Sequence, residues 1–382
     1  MRIAIFSEVY WPMVSGVGVT LVRLVDALEA RGHAVRVYSA TYRLPPGEPD
    51  RPEAHRSPSV PLFLYPDVQW AFPRQRAITD DLQQFQPDVV HIATEFSMGL
   101  AGMKAARQLG IPIVASAHTD YQKYAHRYRV EWVVQMGWVY LRWFYRHAHR
   151  VLTPTRFFER VLNGRGIHHT ALWTRGVDAA VFSPAHRSER WRSRFGVGPD
   201  DLLVTYVGRL AREKDLVRLL DAWVALPARP PNAQLVLVGQ GPLEDNIRER
   251  QLPGVHLGGL LTGQALSEAY ASADLFVFPS STETFGNSLL EAMASGLPCL
   301  TVRAGGIPEF ANHDVNALMV PPHDTAALGQ GLARLMTDAP LRERLRAGGL
   351  ETARSREWDA IFDGLLGEYR AAMVEAPASQ AA

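Results

Sequence analysis

The chain has 382 residues, a length that suits two or three domains at about 150 residues each. Its 40 Lys and Arg balance 39 Asp and Glu to a net charge of +1, which argues against a general nucleic-acid binder, whose basic footprint shows in the total charge. The single cysteine, Cys299, excludes an intramolecular disulfide and a cysteine-based zinc cluster, and its place in the apolar run Pro298 to Val302 gives it a core position.

In chain order, short β-branched runs alternate with longer segments of helical period, the pattern of parallel α/β sheets. The first strand is expected at Arg2 to Ser7; Glu8 ends its apolar run, which is shorter than the ~7 to 15 residue core of an export signal. Leu21, Leu24, Val25 and Leu28 recur at helical spacing before a stop at Gly32. A second strand is expected at Val35 to Ser39. Arg43 to Pro66 holds Pro45, Pro46, Pro49, Pro52, Pro58, Pro61 and Pro66, which helices exclude, and reads as a long surface loop. Further strands fall at Val89 to Ala93, Ile113 to Ala117 and Val151 to Thr153. The longest apolar stretch, Trp132 to Leu141, is broken by Gln135 and falls short of the roughly 20 residues of a bilayer span, so a cytoplasmic protein is expected.

Arg175 to Pro184 has the turn chemistry of an interdomain connection. The strand pattern resumes at Leu203 to Val207, Gln234 to Val238, Val255 to Leu257, Leu275 to Pro279 and Pro298 to Val302. The last helix, Glu357 to Met373, carries Trp358, Ile361, Leu365 and Tyr369 on one stripe. The expected architecture is α/β, with two doubly wound, Rossmann-like domains at residues 1–177 and 200–355, a linker at 178–199, a helix at 356–373 and a frayed tail at 374–382. Two such sheets facing each other leave a ligand cleft at their strand C-termini.

Three constellations fall at such strand ends. Ser15-Gly16-Val17-Gly18 opens a helix, so Gly16 and Gly18 let backbone N–H groups approach an anion at the positive end of the helix dipole. A Gly-X-Gly turn also serves plain packing, and Leu21 breaks the G-x-G-x-x-G spacing, which disfavours a nicotinamide dinucleotide. Val207-Gly208-Arg209 through Lys214 offers a guanidinium fork and a point charge beside a helix start, a natural seat for a diphosphate. The same two cations also suit a solvated helix end. Ser281 to Ala292 sets two carboxylates, Glu283 and Glu291, around a strand-to-helix junction near Gly286. Carboxylates only accept, so hydroxyls of a sugar and a ribose are fitting partners; the plainer reading is two surface glutamates.

The Gly16 to Gly18 turn, His118, Gly208-Arg209 through Lys214, the Glu283 to Glu291 element and Ala304-Gly305-Gly306-Ile307-Pro308-Glu309 stand in the order seen in family 4 glycosyltransferases of the GT-B fold. The chain resembles that family over nearly its whole length. The resemblance implies a retaining transferase that moves a hexosyl group from a UDP- or GDP-linked sugar with no metal or other cofactor, and the lack of any Asp-x-Asp agrees. It implies an acceptor side in the first domain, a nucleotide-sugar side in the second and a last helix crossing back to the first. Carried over by residue, Arg209 and Lys214 would hold the diphosphate, Glu291 the ribose and Glu283 the sugar hydroxyls. Backbone amides of Phe285, Gly286, Asn287, Ser288 and Leu289 would touch sugar and phosphate. His118 would stand beside the reacting carbon, Gly16 and Gly18 would let the first loop close over the phosphates, and Gly239 and Leu260 would wall the base. His118, Arg209, Lys214 and Glu283 form the catalytic set so implied. The resemblance favours retention by same-face attack, assisted by the leaving phosphate, over a covalent carboxylate, and the motif places no obvious second carboxylate beneath the sugar. Ser15 and Ala317 replace glycines usual in the family.

Between Tyr121 and Arg150, the six cations Lys123, Arg127, Arg129, Arg142, Arg146 and Arg150 stand against one acid, Glu131, among many Trp and Tyr. Such interleaving suits an anionic membrane interface, and equally a helix whose aromatics pack a core. His118-Thr119-Asp120-Tyr121 resembles the lipid-acceptor branch of the family. Asp120, Tyr121, Tyr124, Arg127, Tyr128, Arg129 and Trp132 are therefore the expected acceptor and membrane residues. The expected enzyme is peripheral on the inner face of the cell membrane and glycosylates a lipid or glycolipid hydroxyl. Transfer to a soluble sugar and a nucleotide-sugar 2-epimerase are the competing readings. A nucleic-acid partner is not expected, since no stacking-sheet signature accompanies the basic stretch.

Overall fold

The computed structural model describes residues 1–13, 15–62, 65–118, 131–226 and 230–375, leaving aside the side chains of 65–67 and 131–134. The chain divides into two compact units, the first of them taking in residues 1–118, 131–174 and 359–375. In order it holds β1 (Arg2–Ser7), α1 (Gly16–Ala30), β2 (Ala34–Ala40), β3 (Ala54–Ser57), β4 (Ser59–Leu62), β5 (Tyr65–Ala71), α2 (Gln75–Phe85), β6 (Val89–Ile92), α3 (Ser97–Leu109), β7 (Ile113–Ser116), α4 (Glu131–Tyr145), β8 (Arg150–Thr153), α5 (Arg156–Asn163) and β9 (Thr170–Leu172). Seven strands lie parallel in the order β3-β2-β1-β6-β7-β8-β9. With β2 on one side of β1 and β6 on the other, the winding reverses there, and such a switch point gathers loops at the strand C-termini. Leu21, Leu24, Val25 and Leu28 are all fully buried, as their spacing predicts.

The long surface loop expected at Arg43 to Pro66 is a correction. Ala54–Ser57 pairs parallel with β2 at the sheet edge, and β4 and β5 form a separate antiparallel hairpin. Proline excludes helix but is tolerated at edges and irregularities of sheets. Pro58 lies between two strands, and Pro61 sits where the hairpin register shifts. The segment also holds the loop after β1: Arg56 donates to the Trp11 carbonyl at 2.7 Å, and Tyr10 donates to buried Glu53.

The second unit, residues 175–358, holds α6 (Glu189–Ser193), β10 (Leu203–Val207), α7 (Leu216–Val224), β11 (Gln234–Val238), α8 (Glu244–Arg250), β12 (Val255–Gly259), α9 (Gly263–Ala271), β13 (Leu275–Phe278), α10 (Asn287–Ala294), β14 (Cys299–Val302), β15 (Leu318–Val320), α11 (Thr325–Thr337) and α12 (Ala339–Arg354). Its six strands are parallel in the order β12-β11-β10-β13-β14-β15, with the switch point at β10. The strands are near-continuous apolar runs because helices cover both faces. Within the 178–199 stretch, Arg192 is fully buried. Its guanidinium donates to the carbonyls of Ser272, Gly198 and Asp201 and meets Asp274 at 2.7 Å, which fastens α6 to the sheet.

The last helix, α13 (Trp358–Glu375), packs with the first unit, burying Phe362, Leu365, Leu366, Tyr369 and Ala372. Its buried stripe is turned slightly from the one expected, and Trp358 and Ile361 are only half-buried. Among the described residues no helix is long and apolar enough to cross a membrane.

Candidate active site

In the second unit β10, β11 and β13 run into Gly208, Gly239 and Pro279, so their loops meet at the switch point. Gly208 N–H donates to the Val238 carbonyl at 3.0 Å, and a Cβ on Gly239, at φ +135°, would stand 2.0 Å from the Gly208 carbonyl oxygen. Only glycine permits that approach. Arg209 follows, its carbonyl accepting from the Tyr206 hydroxyl at 3.0 Å. Leu260, just past β12, is exposed.

Beyond Arg209 the chain winds through a short 3-10 helix, Arg212–Lys214. Lys214 Nζ lies 2.6 Å from Glu283 Oε1, both side chains being mostly buried. On either side of this pair, Thr282 Oγ1 donates to the Glu213 carbonyl at 3.1 Å and Ser281 Oγ to Asp215 Oδ2 at 2.7 Å. Residues 213–215 and 281–283 are thus joined by three contacts. The Ala304 to Glu309 motif grips the same loop from its other side. Gly306 N–H donates to the Glu283 carbonyl at 3.0 Å, and a Cβ on Gly305 would stand 2.1 Å from that oxygen.

Gly286 takes φ +107° at the start of α10, whose first-turn N–H groups have no intrahelical partner by helix geometry. Phe285, stacked on Phe310 at 4.8 Å, and Leu289 are buried, so both can offer a ligand only their backbone. Asn287 and Ser288 are half-buried. Glu291 Oε2 accepts from the Tyr270 hydroxyl at 2.8 Å. Burial first, and then the Glu291 carboxylate, push the Tyr270 phenol well above its ordinary range. Sequence reasoning placed Lys214 and Glu283 on different parts of a ligand, and the structure brings them together; it missed Asp215, Ser281 and Tyr270. Ser281 lay within the motif, whereas Tyr270 reads as one more core aromatic.

In the first unit Ser15 caps α1, its Oγ accepting from Gly18 N–H at 3.0 Å, and a Cβ on Gly18 would stand 2.7 Å from the Met13 carbonyl oxygen. Gly18 therefore has a packing role, while Gly16 is exposed at the helix start. His118, just past β7, meets Trp173 edge-on at 5.8 Å. Trp173 in turn meets His91, whose Nδ1 and Nε2 bond the Tyr369 hydroxyl at 2.7 Å and Ser116 Oγ at 2.6 Å. Past β1 lies Glu8, buried and accepting from Thr94, Ser97 and the Met98 N–H. Burial holds its carboxyl above the ordinary carboxylate range despite those bonds.

Asp120, Tyr121, Tyr124, Arg127, Tyr128 and Arg129 lie outside the described residues, as does the side chain of Trp132. The rest of α4 divides its apolar residues. Trp138, Leu141, Phe144 and Tyr145 enter the core, whereas Met136, Val139 and Trp143 are exposed along one stripe beside exposed Arg142 and Arg146. Arg150 turns to Glu368, at 3.3 Å, and Glu375.

These features meet the comparisons with known proteins. The glycosyltransferase family 4 profile matches residues 14–181 and the glycosyl transferases group 1 profile residues 187–352. A GDP-mannose-dependent alpha-mannosyltransferase of Mycolicibacterium smegmatis is 34% identical over 98% of each chain. An alpha-monoglucosyldiacylglycerol synthase of Streptococcus pneumoniae is 28% identical over 96% of this chain and 86% of its own. Among solved structures, Anabaena HepE in complex with UDP-glucose superposes at TM-score 0.76 with 19% identity, covering 97% of this chain and all of its own. The chain belongs to the family 4 glycosyltransferases, and its two parallel-sheet, Rossmann-like units are those of the GT-B fold. It is a glycosyltransferase that uses a nucleotide sugar.

Proposed function

We propose that this enzyme moves a hexosyl group from a nucleoside diphosphate sugar to a hydroxyl of a lipid or glycolipid acceptor, with retention at the anomeric carbon and without a divalent cation. It would work as a peripheral protein on the anionic inner face of the cell membrane. The observation that carries the reading is the Lys214–Glu283 pair set beside the N-terminus of α10. Breaking the sugar–phosphate bond leaves negative charge on the phosphate and an oxocarbenium-like sugar, so fixed cations and amide dipoles contribute most. Lys214 and Arg209 take the diphosphate, Glu283 the sugar hydroxyls and Glu291 the ribose. His118 serves the transfer step on the acceptor side.

The anomeric carbon loses its bond to the phosphate oxygen and gains one to the acceptor oxygen on the same face, while the acceptor proton passes to the leaving phosphate. Glu283 held in an ion pair is a poor nucleophile, which favours this course over a glycosyl-enzyme adduct. Relatives named for GDP-mannose over nearly their full length make GDP-mannose the first donor to test, with UDP-glucose beside it. The diacylglycerol-named relative and the exposed Met136, Val139 and Trp143 stripe flanked by Arg142 and Arg146 support an acceptor at a membrane. Asp120, Tyr121, Tyr124, Arg127, Tyr128, Arg129 and Trp132 are assigned to that same side.

Labelled donors are offered with anionic diacylglycerol vesicles or with soluble sugars, in the presence of EDTA. The expected result is an α-linked glycolipid and flotation of the enzyme with the vesicles at low salt. Transfer to soluble sugars alone, or a trapped glycosyl-enzyme adduct, overturns the corresponding part.

A further inference from the structure

We infer that Tyr270 is a positioning residue that aims the Glu291 carboxylate, and thereby sets how strongly the enzyme prefers a ribonucleotide to a deoxyribonucleotide donor. The inference rests on the assignment of Glu291 to the ribose. Tyr270 belongs to α9 and is fully buried, whereas Glu291 on α10 is half-buried. The phenol donates to Oε2 at 2.8 Å, and the Ser288 hydroxyl, three residues before Glu291, bonds the same phenol oxygen.

The ring is held edge-on by Phe182 at 5.6 Å and against Phe276 at 5.6 Å, so its hydroxyl has one place to be. A glutamate has three rotatable side-chain bonds, and a carboxylate that must accept from a ribose needs them fixed before the ligand arrives. Tyr270 supplies that restraint from inside the fold, out of reach of the ligand itself. It follows that the phenol acts on donor affinity and ribose selectivity and not on the bond-breaking step, since ribose contacts are made alike in ground and transition states.

The test compares binding of GDP with 2′-deoxy-GDP, and of UDP with 2′-deoxy-UDP, to the full chain by calorimetry, together with donor KM and kcat. The wild-type enzyme is expected to prefer the ribonucleotide about tenfold, the scale of a hydrogen bond to a charged group. Tyr270→Phe is expected to cut that preference severalfold and raise donor KM, with kcat at saturating donor within about twofold of wild type. Phe182→Leu loosens the same ring but keeps its hydroxyl, and is expected to lower the melting temperature while weakening the preference less than Tyr270→Phe does. A wild-type preference in Tyr270→Phe overturns the inference; should that variant not fold, an unchanged preference in Ser288→Ala does so. A preference that survives Glu291→Ala overturns the ribose assignment itself.

Discussion

Lys214 Nζ and Glu283 Oε1 lie 2.6 Å apart and tie the loop after β10 to the loop after β13 across the switch point of the second sheet. Each group holds the other in place, so on the proposed assignment a diphosphate would meet an ammonium already positioned. Lys214→Ala removes that charge, and kcat is expected to fall about a hundredfold or more, the usual cost of losing one preorganised group facing developing charge. Lys214→Arg restores little, because a guanidinium fork does not fit where a compact ammonium sat. Steady-state rates at saturating donor decide it, and wild-type turnover in Lys214→Ala would refute the assignment.

Asp215 stands next to that lysine with φ +55°, its side chain almost fully buried and accepting from Ser281. Arg218, at 3.5 Å, and His323, at 3.6 Å, face the same carboxylate. Asp and Asn visit left-handed backbone more readily than alanine, which pays roughly 1 to 2 kcal/mol there. Asp215→Asn keeps an acceptor for Ser281 and should lose least, Asp215→Gly should lose every contact of the carboxylate, and Asp215→Ala should lose a further amount of about 1 to 2 kcal/mol from the backbone. Urea midpoints are expected in that order. An alanine variant more stable than the glycine one would show that the backbone geometry matters little.

Much of this was legible in the chain, and the exceptions have physical causes. Buried parallel strands such as Leu203–Val207 and Leu275–Phe278 announce themselves as unbroken apolar runs. The three-residue strands Thr170–Leu172 and Leu318–Val320 are too short for any periodicity to register. Ala54–Ser57 was hidden because proline density speaks against helix and says nothing about an edge strand. At the site, Arg209, Lys214, Glu283 and Glu291 stand out by charge near turn residues. Their pairing does not, since Lys214 and Glu283 stand 69 positions apart in the chain and are brought together only by the fold. Tyr270 carries no signal at all: an aromatic at helical spacing reads as packing until its hydroxyl is seen against Glu291.

Gly305 is where the later motif bears on Glu283. A methyl group at Gly305 would stand 2.1 Å from the Glu283 carbonyl oxygen, at a backbone φ of +61° that already disfavours a side chain. Gly305→Ala must therefore displace the Glu283 loop, and the expected loss is at least tenfold in kcat/KM. Gly364 on α13 is the contrasting case, with nothing within 4 Å of its added Cβ. There alanine should raise stability by about 0.5 to 1 kcal/mol through helix propensity and leave turnover unchanged. Equal activity in the two variants would mean that Gly306 and Gly305 do not hold the Glu283 loop.

Glu8 gives the first unit a pH dependence of known sign. Burial raises its carboxyl above the usual 4.5 in the folded chain, outweighing the bonds from Thr94, Met98 N–H and Ser97. A group whose folded pKa is raised stabilises the fold fully below its unfolded value, and that contribution is lost as pH rises through the folded one. Above its folded pKa the chain therefore carries there a charge that it would hold more easily as a neutral acid. Glu8→Gln removes the charge, keeps an oxygen for Met98 and Ser97, and offers its amide to the Thr94 hydroxyl, which can turn to accept. The melting-temperature advantage of Glu8→Gln over wild type should grow between pH 5 and pH 8, since titrations common to both proteins cancel in the difference. An advantage that shrinks with pH would mean that Glu8 is stabilised as a carboxylate, its three donors outweighing its burial.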